Sequence, residues 1–242
     1  MRPIEYQLPR KKQPVFNFVK KILKLFKRKV RVVNLGEELN ENCLFLANHA
    51  NKMGPLIYEL YLPVYCVKWG AHEMLGTYRQ RWRYLRDVLY IQKNGVGKFK
   101  ATVKATFEAF FSKYFYRGIK VLPTYKDGRV RRTFDKSVEV LNNDSAVMIF
   151  PENSDNGYFD ELKSFYAGFT FIADKYYKVN GKDVPIKAVY FHKKKRIIVV
   201  DKPVHYTELK KEFDGRDNIA EYMKDRVNQL YRRIENGEFD RA

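Results

Sequence analysis

The chain has 242 residues and a formal charge of +19, and 45% of its residues are hydrophobic. This length and hydrophobic content predict a folded protein with a sizeable core and exclude a disordered tail. The excess of lysine and arginine predicts an anionic partner: lipid headgroups, nucleic acid, a phosphorylated substrate or an acidic protein. Only two cysteines are present, Cys43 and Cys66, and both lie in apolar stretches, which argues against a disulfide framework or a zinc site.

Residues 15–29 predict an amphipathic helix with a cationic polar face. At 100° per residue, one half of the helix carries Val15, Phe16, Phe18, Val19, Ile22, Leu23, Leu25 and Phe26. The other half carries Asn17, Lys20, Lys21, Lys24, Lys27 and Arg28. This pattern is typical of a helix that lies in a membrane interface, where anionic lipid attracts each nearby cation by about 1 kcal/mol. The alternative is a helix that packs on the domain with its lysines in water.

The rest of the chain alternates between strand and helix patterns. Strands are predicted at 29–35, 43–47, 64–70, 118–125, 145–150, 184–191 and 196–204. Helices are predicted at 55–62, over most of 71–116, and at 133–142, 165–178 and 216–235. This alternation predicts an α/β fold with a mixed, mainly parallel sheet flanked by helices.

The expected organisation has two parts. A basic N-terminal segment, 1–29, carries the amphipathic helix, and one α/β domain, 30–242, follows with a basic helical insertion at 79–116. No apolar run approaches the roughly 20 residues that span a bilayer, and the N-terminus lacks a signal-peptide pattern. We therefore expect a cytoplasmic protein that is peripheral on the inner face of the membrane.

Polar groups follow two predicted strands at the points where those strands end. The strand 43–47 leads into Asn48 and His49, and the strand 145–150 leads into Glu152. Functional groups in such sheets gather outside the carboxyl ends of the strands, so the histidine is a candidate general base facing a shared cleft. The alternatives are a histidine that hydrogen-bonds within its loop and a simple turn with a helix cap after residue 150.

Together these stretches resemble the glycerophospholipid acyltransferase family, which includes the lysophosphatidate and glycerol-3-phosphate acyltransferases. That family carries N-H-x-x-x-x-D after a strand, a strand ending in arginine, F-P-E-G-[TS], and a V-P-[IV] strand. The counterparts here are "NHANKMG", "GIKVLPTYK", "IFPENS" followed by "LKSFYAGFTFIA", and "DVPIKAVYF". The resemblance covers roughly residues 30–205.

The resemblance implies acyl transfer from acyl-CoA or acyl carrier protein to a lysophospholipid or glycerol phosphate acceptor. It implies no metal and no cofactor beyond the acyl thioester, and an anionic membrane rather than nucleic acid as the partner. His49 would be the general base, and Asn48 of the same motif would line the substrate site. The other substrate-binding positions that it implies are Lys126, Arg129, Glu152, Asn153 and Ser154.

The chain departs from the family pattern at four places. Gly54 stands where the family has the aspartate that orients the catalytic histidine. Lys126 occupies the arginine position, with Arg129 close behind, and Asn153 replaces the glycine after Pro-Glu. The insertion 79–116 also lengthens the distance between the first two motifs.

Gly54 is the departure with the largest consequence. Losing the carboxylate that orients a catalytic histidine can lower the rate about 10⁴-fold. Three explanations remain open: another carboxylate, Glu59 or Glu73, orients His49; the chain is a slow or inactive lipid-binding relative; or Gly54 is an introduced change that traps a substrate complex. Glycine is compatible with a helix start, because Pro55 follows at the first helical position.

Two alternatives come from other functional classes. The stretch "YRQRWRYLRD" at 78–87 interleaves cations with aromatic rings, as single-strand nucleic-acid binders do. A membrane-docking scaffold without catalysis is the second, and acyl transfer from a thioester would exclude it. The combined motifs favour a peripheral membrane acyltransferase of phospholipid synthesis.

Overall fold

Seven strands form one sheet in the part of the chain that the structure describes. This computed structural model describes residues 13–36, 38–39, 42–50, 53–153 and 157–240. The strands are β1 (Arg31–Asn34), β2 (Leu44–Ala47), β3 (Cys66–Ala71), β4 (Val121–Thr124), β5 (Ala146–Ile149), β6 (Ile186–His192) and β7 (Ile197–Val200). Their order across the sheet is β1-β7-β6-β2-β5-β3-β4. All neighbouring pairs are parallel except the β6–β7 hairpin, which confirms the predicted mixed, mainly parallel sheet.

Helices flank this sheet, as predicted. They are α1 (Pro14–Phe26), α2 (Gly54–Tyr61), α3 (Tyr78–Arg83), α4 (Lys98–Gly118), α5 (Val130–Asn142), α6 (Gly168–Asn180), α7 (Tyr206–Glu212) and α8 (Arg216–Glu235). A 3-10 turn, His72–Leu75, precedes α3, and a π-helical segment, Tyr84–Lys93, follows it.

Each face of the sheet buries one of two alternating sets of side chains. Along β2, Leu44 and Leu46 enter one hydrophobic cluster, and Phe45 and Ala47 enter the other. The first cluster also contains side chains of α5, α6 and α8, whereas the second contains side chains of α2. α2 therefore covers the face opposite α5, α6 and α8, and it starts at the sheet edge where β2 ends.

The segment between β3 and β4 is mostly helical and has a small core of its own. Ala101, Ala105 and Ala109 line the inward side of α4, where their small side chains let Leu85 and Leu89 of the π-helical segment approach. The exposed side chains of α4 include Phe99, Val103, Phe107, Phe110, Phe111 and Tyr114. α4 thus buries alanines and exposes aromatic rings, the reverse of the usual surface helix.

The amphipathic helix is shorter than the predicted 15–29. α1 ends at Phe26, and Lys27 has extended backbone angles, φ −109° and ψ 130°. The hydroxyl of Tyr61 donates to the carbonyl oxygens of Lys27 and Arg28, at 3.4 and 3.2 Å. These contacts hold the chain as it leaves the helix toward β1.

Two other elements also differ from the predictions. β7 ends at Val200 rather than 204. The N–H of Asp201 still donates to the carbonyl of Ala188, and Val204 pairs with Ile186 in an isolated bridge, but Pro203 between them has no N–H for a sheet hydrogen bond. α7 was not predicted, because it has seven residues and buries only Tyr206 and Leu209, too few for a clear helical period.

Candidate functional site

His49 and Glu152 lie side by side at the carboxyl edge of the sheet. β2 and β5 are parallel neighbours, with Leu46 opposite Ile149, so the chain leaves both strands at the same edge. The backbone N–H of His49 donates to Oε2 of Glu152 at 3.4 Å. The fold thereby joins two residues that are 103 positions apart in the sequence.

Glu152 is a buried carboxylate held by backbone amides from two segments. The residue is 7% exposed, and its Oε1 accepts from the N–H of Phe159 at 3.4 Å. Burial raises the pKa of Glu152, although the amides of His49 and Phe159 and the charge of Lys93 partly oppose that rise. Glu152 therefore braces the loop that carries His49 from inside the site.

Aromatic rings flank the imidazole of His49. The ring of Phe150 lies 5.0 Å away between centroids, and the ring of Tyr158 stacks at 4.9 Å with an interplanar angle of 29°. Ala50, the next residue, has φ 44°, which is in the left-handed region that L side chains rarely adopt. Ring packing and this sharp turn together orient His49.

Lys93 approaches the site from the insertion, and no sequence motif predicts its presence there. It is the last residue of the π-helical segment, and its Nζ lies 5.6 Å from the ring centroid of Tyr158. Its charge also acts on Glu152. Only the packing of the insertion against the 157–159 loop brings this cation here, so no motif could have revealed it.

Asn48 anchors the His49 loop to the neighbouring strand. Its Oδ1 accepts from the hydroxyl of Tyr58 at 2.7 Å and from the N–H of Phe191 at 2.8 Å, and its Nδ2 donates to the carbonyl of Phe191 at 3.1 Å. Asn48 is 2% exposed. The amide of Asn48 therefore positions the His49 loop, and its place in the substrate site stays a prediction.

Gly54 is the first residue of α2, and His49 packs directly on it. A methyl group added at Gly54 would lie 2.8 Å from the carbonyl carbon of His49 and closer still to its oxygen. The backbone is thus folded tightly around a glycine, and no side chain fits without moving the His49 loop. This packing argues against a simple exchange of aspartate for glycine on an otherwise unchanged backbone.

The two carboxylates considered as replacements for the missing aspartate are engaged elsewhere. Glu59 binds the ammonium groups of Lys20, Lys68 and Lys120. Glu73 lies 3.2 Å from Nδ1 of His72. These pairings count against Glu59 or Glu73 as the group that orients His49, the first of the three explanations.

The remaining predicted substrate-binding residues lie at different distances from His49. Lys126 and Arg129 follow β4, which lies three strand positions from β2, or roughly 14 Å at about 4.8 Å per strand. Arg129 forms a paired contact with Asp127, at 2.7 to 3.0 Å. Asn153 is next to Glu152, and its N–H donates to the carbonyl of Ser164 at 3.4 Å. Ser154 lies outside the described residues.

An apolar cleft of about 690 Å³ lies between α2 and the insertion. Met53 and Leu56 form its wall on the α2 side, immediately beside Gly54. The opposite wall includes Leu89, Val103, Phe107, Phe111, Phe115 and Tyr116. The volume is within the range of small-molecule pockets, and the lining suits a hydrocarbon chain.

The predicted membrane residues of α1 fall on two different sides of the helix. Phe16, Lys20 and Leu23 are half-buried, as is Lys27 just beyond the helix, and a methyl group at Gly118 would overlap the ring of Phe16. Lys24 is exposed and lies over the ring of Tyr61 at 5.5 Å. The exposed apolar stripe consists of Val15, Phe18, Val19, Ile22, Leu25 and Phe26. The structure therefore corrects the prediction that Lys20 belongs to the cationic membrane face, because the ammonium of Lys20 binds Glu59 on the domain side of α1.

Residues of the cation–aromatic stretch 78–87 make contacts within the insertion itself. Arg81 is 6% exposed and donates to the carbonyl of Gly76 at 2.5 Å and the hydroxyl of Ser112 at 3.1 Å. Arg86 stacks on the ring of Trp82 at 4.9 Å. These contacts explain part of the pattern that suggested single-strand nucleic-acid binding.

Comparison with protein-family models finds no match, and comparison with curated proteins finds none either. Over the residues that the structure covers, no helix has the length and hydropathy to cross a bilayer. Within the same residues, no group of histidine, cysteine, aspartate and glutamate side chains is arranged to hold a metal ion.

Proposed function

We propose that this chain is a peripheral membrane acyltransferase of the glycerophospholipid acyltransferase kind. It would move a fatty acyl group from acyl-CoA or acyl carrier protein to a hydroxyl of a glycerol phosphate acceptor such as lysophosphatidate. The observation that carries the proposal is the contact between His49 and Glu152, which come from the two separate motifs. An apolar cleft that begins one residue before Gly54 supports it.

In the proposed reaction, His49 accepts the proton of the acceptor hydroxyl as the oxygen attacks the thioester carbonyl. A carbon–oxygen bond forms, the carbon–sulfur bond of the tetrahedral intermediate breaks, and the departing thiolate receives the proton from the imidazolium. No acyl-enzyme is required. Both cysteines are buried, and burial raises the pKa of Cys66 to about 11, which disfavours a thiolate nucleophile.

The remaining parts of the site have distinct proposed roles. The acyl chain would occupy the cleft between α2 and α4, and Glu152 would hold the backbone of His49 in position. Lys93, whose charge acts on Glu152, would hold the acceptor phosphate, whereas Lys126 and Arg129 follow a strand three positions away. A single ammonium would hold the phosphate as a point charge rather than as a bidentate fork.

Two exposed apolar surfaces support attachment to a membrane. One is the outer stripe of α1, and the other is the aromatic side of α4, whose last residue, Gly118, touches Phe16 of α1. Contiguous exposed apolar surface of this kind marks interaction sites, and the net charge of +19 favours an anionic surface.

A lipid-binding relative without catalysis is the second candidate, and two observations favour it. Gly54 provides no carboxylate, and Glu59 and Glu73 both bind other groups. In that case the cleft and the exposed stripes would still bind lipid, but His49 would transfer no acyl group.

Mass spectrometry of the lipid product distinguishes these candidates. The full chain is incubated on anionic vesicles with an acyl thioester and either lysophosphatidate or glycerol 3-phosphate. Acylated product that requires the protein and the thioester supports the enzyme. Vesicle binding without product, with acyl-CoA or acyl carrier protein as the donor and with either acceptor, supports the non-catalytic relative.

A further inference from the structure

Four charged side chains meet in the interior at the opposite end of α2 from Gly54. Glu59 accepts from Lys68 at 2.6 Å and from Lys20 at 2.9 Å, and it also accepts from Lys120. Lys68 and Lys120 are 1% and 5% exposed, and Glu59 is 8% exposed. Three ammonium groups from α1, β3 and the residue before β4 therefore share one carboxylate.

This cluster has more positive than negative charge in a place where charges are normally balanced. Buried charges usually require partners of opposite sign, because transfer from water is unfavourable. Lys120 shows the effect: burial and the neighbouring charge of Lys68 lower its pKa to about 8, despite the contact with Glu59. A second anion beside Lys120 would relieve this imbalance.

A polar cavity of about 250 Å³ lies against the cluster. Lys20, Lys120 and Glu59 line it, and Gln13 and Asn17 at the start of α1 add amide groups. At about 30 Å³ per water molecule, the space corresponds to roughly eight waters, enough for a small ion but not for an acyl chain.

We propose that this cavity is a binding site for a phosphate-class oxyanion, held by the ammonium groups of Lys20 and Lys120 and by the side-chain amides of Gln13 and Asn17. Ammonium and amide N–H groups are the donors that phosphate oxygens accept, and the charge-assisted contacts would be the stronger ones. Lys68 would contribute charge without direct contact, because it does not line the cavity. The proposal does not rest on acyl transfer.

The site is separate from the His49 edge of the sheet. α2 begins beside His49, and Glu59 follows Gly54 by five residues, or about 7.5 Å along the helix axis. At 100° per residue, Gln13, Asn17 and Lys20 also lie on roughly the opposite side of α1 from Val15, Val19, Ile22 and Phe26. An α1 that rests on a membrane through its apolar stripe would turn this cavity away from the lipid, which favours a free phosphate or phosphorylated small molecule over a lipid headgroup.

Calorimetric titration of the full chain with inorganic phosphate, against chloride at matched ionic strength, tests the site. Lys20→Met should weaken phosphate binding by about 10- to 100-fold, the value of one charge-assisted hydrogen bond. Lys24→Met is the matched control, because Lys24 is on the same helix one turn later and does not line the cavity. Lys24→Met should bind phosphate as the parent does, and Lys20→Arg should retain most of the affinity.

A second arm identifies the source of the anion. The same variants are titrated with vesicles of phosphatidylcholine that contain or lack phosphatidate. If the parent binds free phosphate and Lys20→Met does not, the ligand is soluble. If the parent binds only vesicles that contain phosphatidate, and Lys20→Met loses this binding, the ligand is a lipid headgroup. The proposal is overturned if neither ligand binds, or if Lys24→Met weakens the binding of free phosphate as much as Lys20→Met does.

Discussion

Replacement of Gly54 by alanine tests the tight packing at the start of α2. A methyl carbon at this position would lie 2.8 Å from the carbonyl carbon of His49, whereas non-bonded carbons pack at about 3.5 Å or more. The His49 carbonyl carbon must therefore retreat by at least roughly 0.7 Å, and the carbonyl oxygen, which lies closer still, must move by more. Overpacking of this kind costs about 1–3 kcal/mol of stability.

The same displacement should also reduce catalysis. A misplacement of about 1 Å can lower a rate by about 10²-fold, so we expect a large loss of acyl transfer in Gly54→Ala. Gly54→Asp should behave in the same way rather than raise the activity, since its Cβ meets the same carbonyl.

Urea denaturation measures the stability effect, with Gly128→Ala as the control. A methyl group at Gly128 meets nothing within 4 Å, and its backbone is not in the left-handed region. Gly128→Ala should leave stability unchanged or raise it by about 0.4–1 kcal/mol through the unfolded state. If Gly54→Ala is as stable as Gly128→Ala, or if Gly54→Asp increases acyl transfer, the account of this packing is wrong.

Three further predictions concern other parts of the molecule. Glu59→Gln should lower the free energy of unfolding by about 3–5 kcal/mol at pH 7, because it leaves buried ammonium groups without their carboxylate. Burial alone would raise the pKa of Glu59, but the lysines outweigh it and hold the pKa at about 2. This stabilisation should therefore be present above pH 4.5 and be lost as the pH falls toward 2, where the parent and the variant should converge in urea denaturation. Phe18→Ser should weaken binding to anionic vesicles by about 10- to 100-fold in a sedimentation assay, whereas Val179→Ser, an exposed apolar change on α6, should have no effect. Lys93→Met should raise the KM for a phosphorylated acceptor more than Lys126→Met does, and equal effects would count against Lys93 as the phosphate cation.

Much of the fold could be predicted because it depends on local pattern. Continuous apolar runs such as 145–150 predicted strands buried on both faces, and the alternation with helices predicted a mainly parallel sheet. The short helix α7 was missed because two buried side chains give no measurable period.

The candidate site was predictable only in part, since its motifs fix strand ends but not what surrounds them. The neighbouring positions of His49 and Glu152 follow from strand order, which the motifs suggested. The position of Lys93 depends on how the insertion packs against the 157–159 loop. The ion pairs of Glu59 with three lysines depend on contacts between α1, α2, β3 and β4. Such long-range contacts leave no mark on the local spacing of residues.

The division of α1 into two faces shows the same limit. Its hydrophobic period revealed one apolar half but not which part of that half touches the domain. Phe16 and Leu23 are half-buried toward the domain, whereas Phe18 and Phe26 remain exposed. The tertiary contact between Phe16 and Gly118, which the period cannot show, accounts for the burial of Phe16.

Release of free thiol from an acyl thioester, with and without a glycerol phosphate acceptor, tests the central claim most directly. The parent chain and His49→Ala are compared on the same anionic vesicles, with His205→Ala as a histidine control distant in the sequence. We predict acceptor-dependent release by the parent and by His205→Ala, and a loss of about 10²- to 10⁴-fold in His49→Ala. Parental rates in His49→Ala, or no release by a parent chain that still binds the vesicles, would contradict the assignment of His49 as the general base of an acyltransferase.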